Sequence, residues 1–161
     1  TMDRIRTLVR TAAAVCDHAV GWLLLALVAI NGASVFMRYV VGDSISWSEE
    51  AIRYLAIWIT FLGSAAASWN DEHLDMNLFA EAGGPAFQAG QRFVLHLLNT
   101  AFAAVLAWQG WIYCMLNGAQ TAPTTGLPMI YVYGAIALGG FLLVAVHLVK
   151  AADSLLAARG R

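Results

Sequence analysis

Residues 93–149 contain no Asp, Glu, Lys or Arg, a charge-free stretch of about 57 residues that no water-exposed loop would carry. A bilayer's hydrocarbon core is about 30 Å thick, and one helix crosses it in about 20 residues. The stretch is therefore too long for one span, and it breaks at Asn117-Gly118-Ala119-Gln120-Thr121-Ala122-Pro123-Thr124-Thr125-Gly126-Leu127-Pro128, a cluster of turn formers. It holds two helices. Two further charge-free runs, residues 19–37 and 54–70, bring the count to four. The predicted spans are residues 15–41, 47–69, 86–116 and 128–151. Lipid cannot hydrogen-bond an exposed backbone, so runs of this length imply helices and not barrel strands. The fold class is an all-α integral membrane protein, one membrane domain over residues 1–161. With 60% hydrophobic residues, 12% charged and a mean hydropathy of +0.67, no polar stretch remains for a second domain.

Thr1 precedes Met2, so the native start is expected at Met2, followed by Arg4, Arg6 and Arg10. A cleavable signal peptide would have an apolar core of only about 7 to 15 residues, so the longer run at 19–37 reads as a retained span. Lys150, Arg159 and Arg161 follow the fourth span, and by the positive-inside rule both termini are expected in the cytoplasm. The loop of residues 71–91 would then also be cytoplasmic, and that of residues 117–127 external. Tyr39, Trp47, Trp111, Tyr113, Tyr131 and Tyr133 fall at the outer interface in this frame, Trp22 and Trp69 at the inner one. Trp58 and Trp108 sit deeper and read as packing residues. Cys16 and Cys114 belong to opposite faces, too far apart for a disulfide. A net charge of −1 gives no basic footprint for nucleic acid.

The outer edge between the first two spans concentrates the chemistry: Arg38, Tyr39, Trp47, Glu49, Glu50 and Arg53 lie within about 16 residues. Charges at a membrane edge are costly unless water, headgroups or partner charges compensate them. Ser46-Trp47-Ser48-Glu49 has the capping-box pattern, in which the Ser46 hydroxyl and the Glu49 carboxylate satisfy first-turn amides. Arg53 lies three and four residues beyond the two glutamates, within ion-pair reach of both. Arg38 faces them across a short turn and would lock the first two helices into a hairpin. Two readings stay open: a clasp internal to the chain, or one in which a charge is left for a neighbouring subunit. Trp47 and Glu50 are the residues expected to face such a partner.

Trp47, Glu50, Tyr54, Trp58 and Phe61 recur at helical spacing as one large, partly charged stripe. Gly63-Ser64-Ala65-Ala66-Ala67-Ser68 offers close backbone approach. Either could pack within the chain or against a subunit. Residues 72–82, with His73, Leu74 and Leu78, form a candidate short interfacial helix between the second and third spans, or an amphipathic loop. His73 alone is no metal site. His18, His96 and His147 fall toward one leaflet, which keeps a haem-carrying four-helix cytochrome as an alternative. Asn31, Asn99 and Gln109 read as interhelical glue. No span carries a carboxylate or base near its middle, and Pro85, Pro123 and Pro128 lie outside span centres, so the broken helices of midplane binding sites are missing. That argues against the remaining alternative, an autonomous small transporter.

The ordered set Arg38-Tyr39, Trp47-Ser48-Glu49-Glu50, Arg53, Trp58-Ile59-Thr60-Phe61-Leu62-Gly63, His73, Gly126-Leu127-Pro128 and Tyr133 resembles the DctQ-like family. These are the small membrane subunits of tripartite ATP-independent periplasmic (TRAP) transporters. The resemblance covers about residues 15–156. It departs in the fourth span, where members often carry a proline before a glycine and this chain has Ala137-Leu138-Gly139-Gly140. The resemblance implies a subunit of the bacterial inner membrane, not an enzyme, which scaffolds a large transport subunit. A periplasmic binding protein would capture an organic anion, of the carboxylate or sialic acid class, for sodium-coupled uptake. It further implies that the sodium ions sit in the large subunit. This chain would hold no cofactor, metal or substrate of its own, its contacts being the large subunit, the binding protein and lipid. Arg38, Tyr39, Trp47, Glu49, Glu50, Arg53, Trp58 and His73 are then expected at structural or partner-facing positions.

Overall fold

The computed structural model describes residues 2–70 and 85–159. Helix α1 (Met2–Phe36) continues into a π-helical turn, Met37–Val41. Helices α2 (Ser48–Trp69), α3 (Pro85–Asn117) and α4 (Ile130–Arg159) follow. All four are long and apolar enough to cross a membrane, over Arg4–Val41, Ser48–Trp69, Phe93–Asn117 and Ile130–Asp153. The chain is a four-span helical membrane protein, as its charge-free runs require. The candidate interfacial segment 72–82 and its His73 lie outside the described residues.

Two helices outrun their predicted spans: α1 begins at Met2 and not near residue 15, and α4 ends at Arg159 and not near 151. Apolar run length measures the bilayer, whereas a helix continues as long as its amides stay bonded and one face finds cover. For α1 that cover is its own bundle. Val9, Ala12 and Ala13 line an apolar cleft together with Leu142, Ala145 and Val146 of α4.

Helix α4 is the axis on which the bundle assembles. Half of its span is buried, against 6% for α1. Its two central glycines explain why. A Cβ built on Gly140 would stand 2.7 Å from the Cα of Ala107 on α3, and one on Gly139 would stand 2.6 Å from the Cβ of Phe61 on α2. Consecutive helical positions point about 100° apart, so the pair seats one neighbour each. Lipid tails are as apolar as leucine, and close van der Waals approach between small residues is what holds such helices together. Along α3 the buried stripe is Ala103, Ala107, Gly110 and Cys114, at helical spacing. Where the family resemblance suggests a proline, α4 runs unbroken and uses the site for contact.

Helix α1 lies along α2 through Cys16, Leu62 and Ala66, with Val20 3.8 Å from the Cβ position of Gly63. Ala65, Ala103 and Leu143 join α2, α3 and α4. The small run from Gly63 to Ser68 is thus used largely inside the chain. Cys16 and Cys114 are both free and buried in different parts of the bundle, the Cys114 thiol 3.8 Å from the Ile130 carbonyl.

Candidate functional site

Between the first two spans, α1 widens into its π-helical turn and stops at Gly42, whose φ of +77° a side chain would strain. This turn carries Arg38 across the gap to α2, where its guanidinium donates to the Glu49 carboxylate at 2.9 Å. Beneath that pair, in the dry interior, the Ser34 and Ser48 hydroxyls meet at 2.9 Å, and Ser48 also donates to the Ile45 carbonyl at 2.7 Å. The hairpin anticipated from Arg38 is present, closed by two linkages and not one.

The capping box is not formed. Helix α2 begins at Ser48 with Trp47 at the cap position, and no side chain caps its amides. Glu49 goes to Arg38 because a charge-assisted bond to a guanidinium outcompetes a bond to a neutral amide. Ser48, not Ser46, is the buried serine. Since Arg38 and Glu49 are both about half exposed or more, the pair is screened. Arg38→Ala should therefore cost about 1 kcal/mol of stability or less, measurable as a small shift in the thermal melt of the purified chain.

Glu50 turns to another face. Its carboxylate accepts the Thr125 amide at 2.7 Å, from the tip of the loop between α3 and α4. That loop is a tight reversal, with Ala122 bonded to Leu127 and Met129 to Gln120, and Gly126 holding a φ of +66°. One and two turns further along α2, the Tyr54 hydroxyl reaches the Met129 sulfur at 3.6 Å and the Trp58 indole donates to the Tyr131 carbonyl at 3.1 Å. The aromatic stripe of α2 is therefore a rail for the chain's own α3–α4 loop and α4. Trp58 is a packing residue, as expected. Tyr39 and Trp47 remain exposed.

Arg53 is different. It is exposed, and among the described residues it forms no ion pair, because Arg38 takes Glu49 and the loop takes Glu50. The ion pairs expected of it are not made.

A second clasp, unanticipated from sequence, closes the opposite end. Arg6 of α1 donates through Nε to Asp153 of α4 at 3.0 Å, with a second bond from its Nη2. Lys150 donates to the Ser68 carbonyl at 2.5 Å, capping the C-terminal end of α2, where the helix dipole favours a cation. The only advance signal was opposite charges at the two chain ends, which have no sequence spacing to connect them.

Within the spans, Asn31, Asn99 and Gln109 are exposed and, among the described residues, make no interhelical hydrogen bond, contrary to their reading as glue. Trp108 also points outward and is not a packing residue. Helical spacing places a residue on a face, but which faces are covered depends on the bundle. His96 and His147 meet across α3 and α4 with ring centroids 5.8 Å apart, while His18 is exposed on α1. Tyr113 and Tyr133 make an edge contact at 4.8 Å near the end of the same two helices that the α3–α4 loop joins.

Two polar clasps thus close a bundle whose helices meet through small apolar residues. Residues 27–157 match the family model for the DctQ component of tripartite ATP-independent periplasmic transporters. The chain belongs to the DctQ family. It is 28% identical over 147 residues to a TRAP transporter small permease protein of Haemophilus influenzae, covering 89% of this chain and 91% of that one. It is also 26% identical over 131 residues to the ectoine TRAP transporter small permease protein TeaB of Halomonas elongata, covering 80% of this chain and 66% of the relative. Among this DctQ-family chain's matched residues are both Gly139-Gly140 and the Arg38 to Arg53 edge.

Proposed function

We propose that this DctQ-family chain is the small membrane subunit of a TRAP transporter that scaffolds the large transport subunit and is not itself a conduit or an enzyme. The observation that carries this reading is the apolar lining of the interior. Ala65, Ala66, Ala103, Ala107, Ala135 and Val146 occupy the helix contacts, and the cleft between α1 and α4 is lined by apolar side chains. A coupling site inside the bilayer needs ionisable or carbonyl ligands near mid-span. The charged side chains of the described residues lie instead toward the two ends of the bundle, where Arg6 with Asp153, Arg38 with Glu49, and Glu50 tie elements together.

In this reading, uptake is sodium-coupled and depends on a periplasmic binding protein. The solute is an organic anion of the carboxylate or sialic acid class, and both solute and sodium are held by other chains. The complex sits in the bacterial inner membrane with both termini of this chain cytoplasmic. The Arg6–Asp153 contact agrees with both ends lying on one side, as an even number of spans requires, and the basic residues near both ends favour the cytoplasmic one.

The test is reconstitution. Liposomes holding this chain together with the large subunit should take up solute only with binding protein and a sodium gradient, and liposomes holding either subunit alone should not. Flux through this chain alone, or solute binding to it when purified alone, would overturn the reading. A visible haem band would select the cytochrome instead.

A further inference from the structure

Helix α2 has an outward face unlike those of its neighbours. On α1, Trp22, Leu25 and Val28 project outward, and on α3, Phe102 and Trp108 do so, as lipid contact requires. Among the described residues no large apolar side chain of α2 is exposed. Its outward stripe is Arg53, Ala56, Thr60 and Ser64, the first three exposed and Ser64 half-buried. The Thr60 hydroxyl is folded back onto the Ala56 carbonyl at 2.8 Å and the Ser64 hydroxyl onto the Thr60 carbonyl at 2.7 Å. Their hydrogen-bonding capacity is spent locally, and a low, smooth surface is left on which another backbone could lie close. At the end of the stripe nearest the start of α2 stands Arg53, exposed and, among the described residues, in no ion pair.

We propose that this stripe is the seam for one transmembrane helix of the large subunit, and that a carboxylate on that helix pairs with Arg53. The inference rests on the scaffold reading above. Charge complementarity selects the occupant. An exposed guanidinium more than one turn into a span is compensated best by an acidic group brought to the same depth. A second copy of this chain does not supply one: copies inserted in the same orientation and related by a two-fold axis would set Arg53 against Arg53. Of the two acids one turn away, Glu49 is already held by Arg38, and Glu50 is turned to the loop, where it accepts the Thr125 amide. Lipid tails gain nothing from small residues, whereas a helix gains backbone contact.

The test uses the complex of this chain with its cognate large subunit, co-expressed and purified through a tag on this chain. Thr60→Leu and Arg53→Glu should each lower the recovered large subunit at least tenfold. Arg53→Lys should retain most of it, and Ala104→Leu, on the exposed face of α3, should retain all of it. The melting curve and monodispersity of each purified variant should match those of the unsubstituted chain. A photocrosslinking residue at position 60 should capture the large subunit, and one at position 108 should not, a readout that does not depend on disrupting the seam. Undiminished recovery with Thr60→Leu and Arg53→Glu, or capture at position 108 and not at 60, overturns the proposal. So does loss of bound anionic lipid with Arg53→Glu while the large subunit stays, because the cation's partner is then a headgroup. If the unsubstituted chain recovers no large subunit, the scaffold reading itself fails and the seam falls with it.

Discussion

Gly140→Leu should dismantle the bundle. The backbone of α3 stands where its Cβ must go, 2.7 Å from both the Cα and the N of Ala107, and neither atom can rotate away. Overpacking against movable side chains costs about 1–3 kcal/mol. Against backbone, a leucine should exceed that and separate α3 from α4. Gly140→Ala is the more discriminating variant, because two effects of opposite sign compete. Alanine favours a helix over glycine by about 1 kcal/mol, yet its Cβ meets the same atoms. Contact should win, and Gly140→Ala should melt below the unsubstituted chain in detergent or bicelles. Gly134, on the same helix, has no atom within 4 Å of its Cβ position. Gly134→Ala should therefore be neutral or stabilising. Equal stabilisation by both alanines would show that the crossing is looser than described.

The second large effect is expected at Glu50. Removing its carboxylate leaves the Thr125 amide without its acceptor and frees the loop tip from α2. Glu50→Ala should speed hydrogen exchange at the Thr125 amide by on the order of tenfold, since a loop held by few bonds opens locally once one is lost. Proteolysis at residues 123–126 should quicken in parallel. Glu50→Gln keeps a carbonyl acceptor at the same reach and should show a smaller effect. In the complete transporter, Glu50→Ala should lower assembly while the solute affinity of the complexes that do form stays unchanged. Unaltered exchange at Thr125 would mean that Tyr54 and Trp58 hold the loop without it.

Much of the architecture was legible because the bilayer leaves a chain few choices. A charge-free run of span length must be helical, turn formers must lie outside the hydrocarbon, and the break at residues 117–128 could be placed without tertiary information. The Arg38–Glu49 link was legible for a similar reason: a short turn leaves few partners in reach. Pairings that depend on several chain segments arriving together were not legible. Glu50 looked like part of the same edge cluster, but its partner is the amide of Thr125, 75 residues away. Arg6 and Asp153 are separated by 147 residues. Ser48 appeared as a middle residue of a capping pattern, and only the approach of α1 made it the buried partner of Ser34.

The amides and Trp108 show the same limit from the other side. Asn99, Gln109 and Trp108 were assigned to packing because they lie within a span, yet α3 buries only the stripe that faces α4 and leaves the rest of its circumference open. Periodicity cannot say how many neighbours a helix has.

The sequence by itself determined the number of spans, their breaks and the family, because those follow from transfer energies and local turn chemistry that act residue by residue. Tertiary structure alone decided that Gly139 and Gly140 seat α2 and α3, that Glu49 and Glu50 have different partners, and that Arg53, among the described residues, is in no ion pair. Those are competitions among groups far apart in the chain, and only the packed bundle sets the distances that settle them.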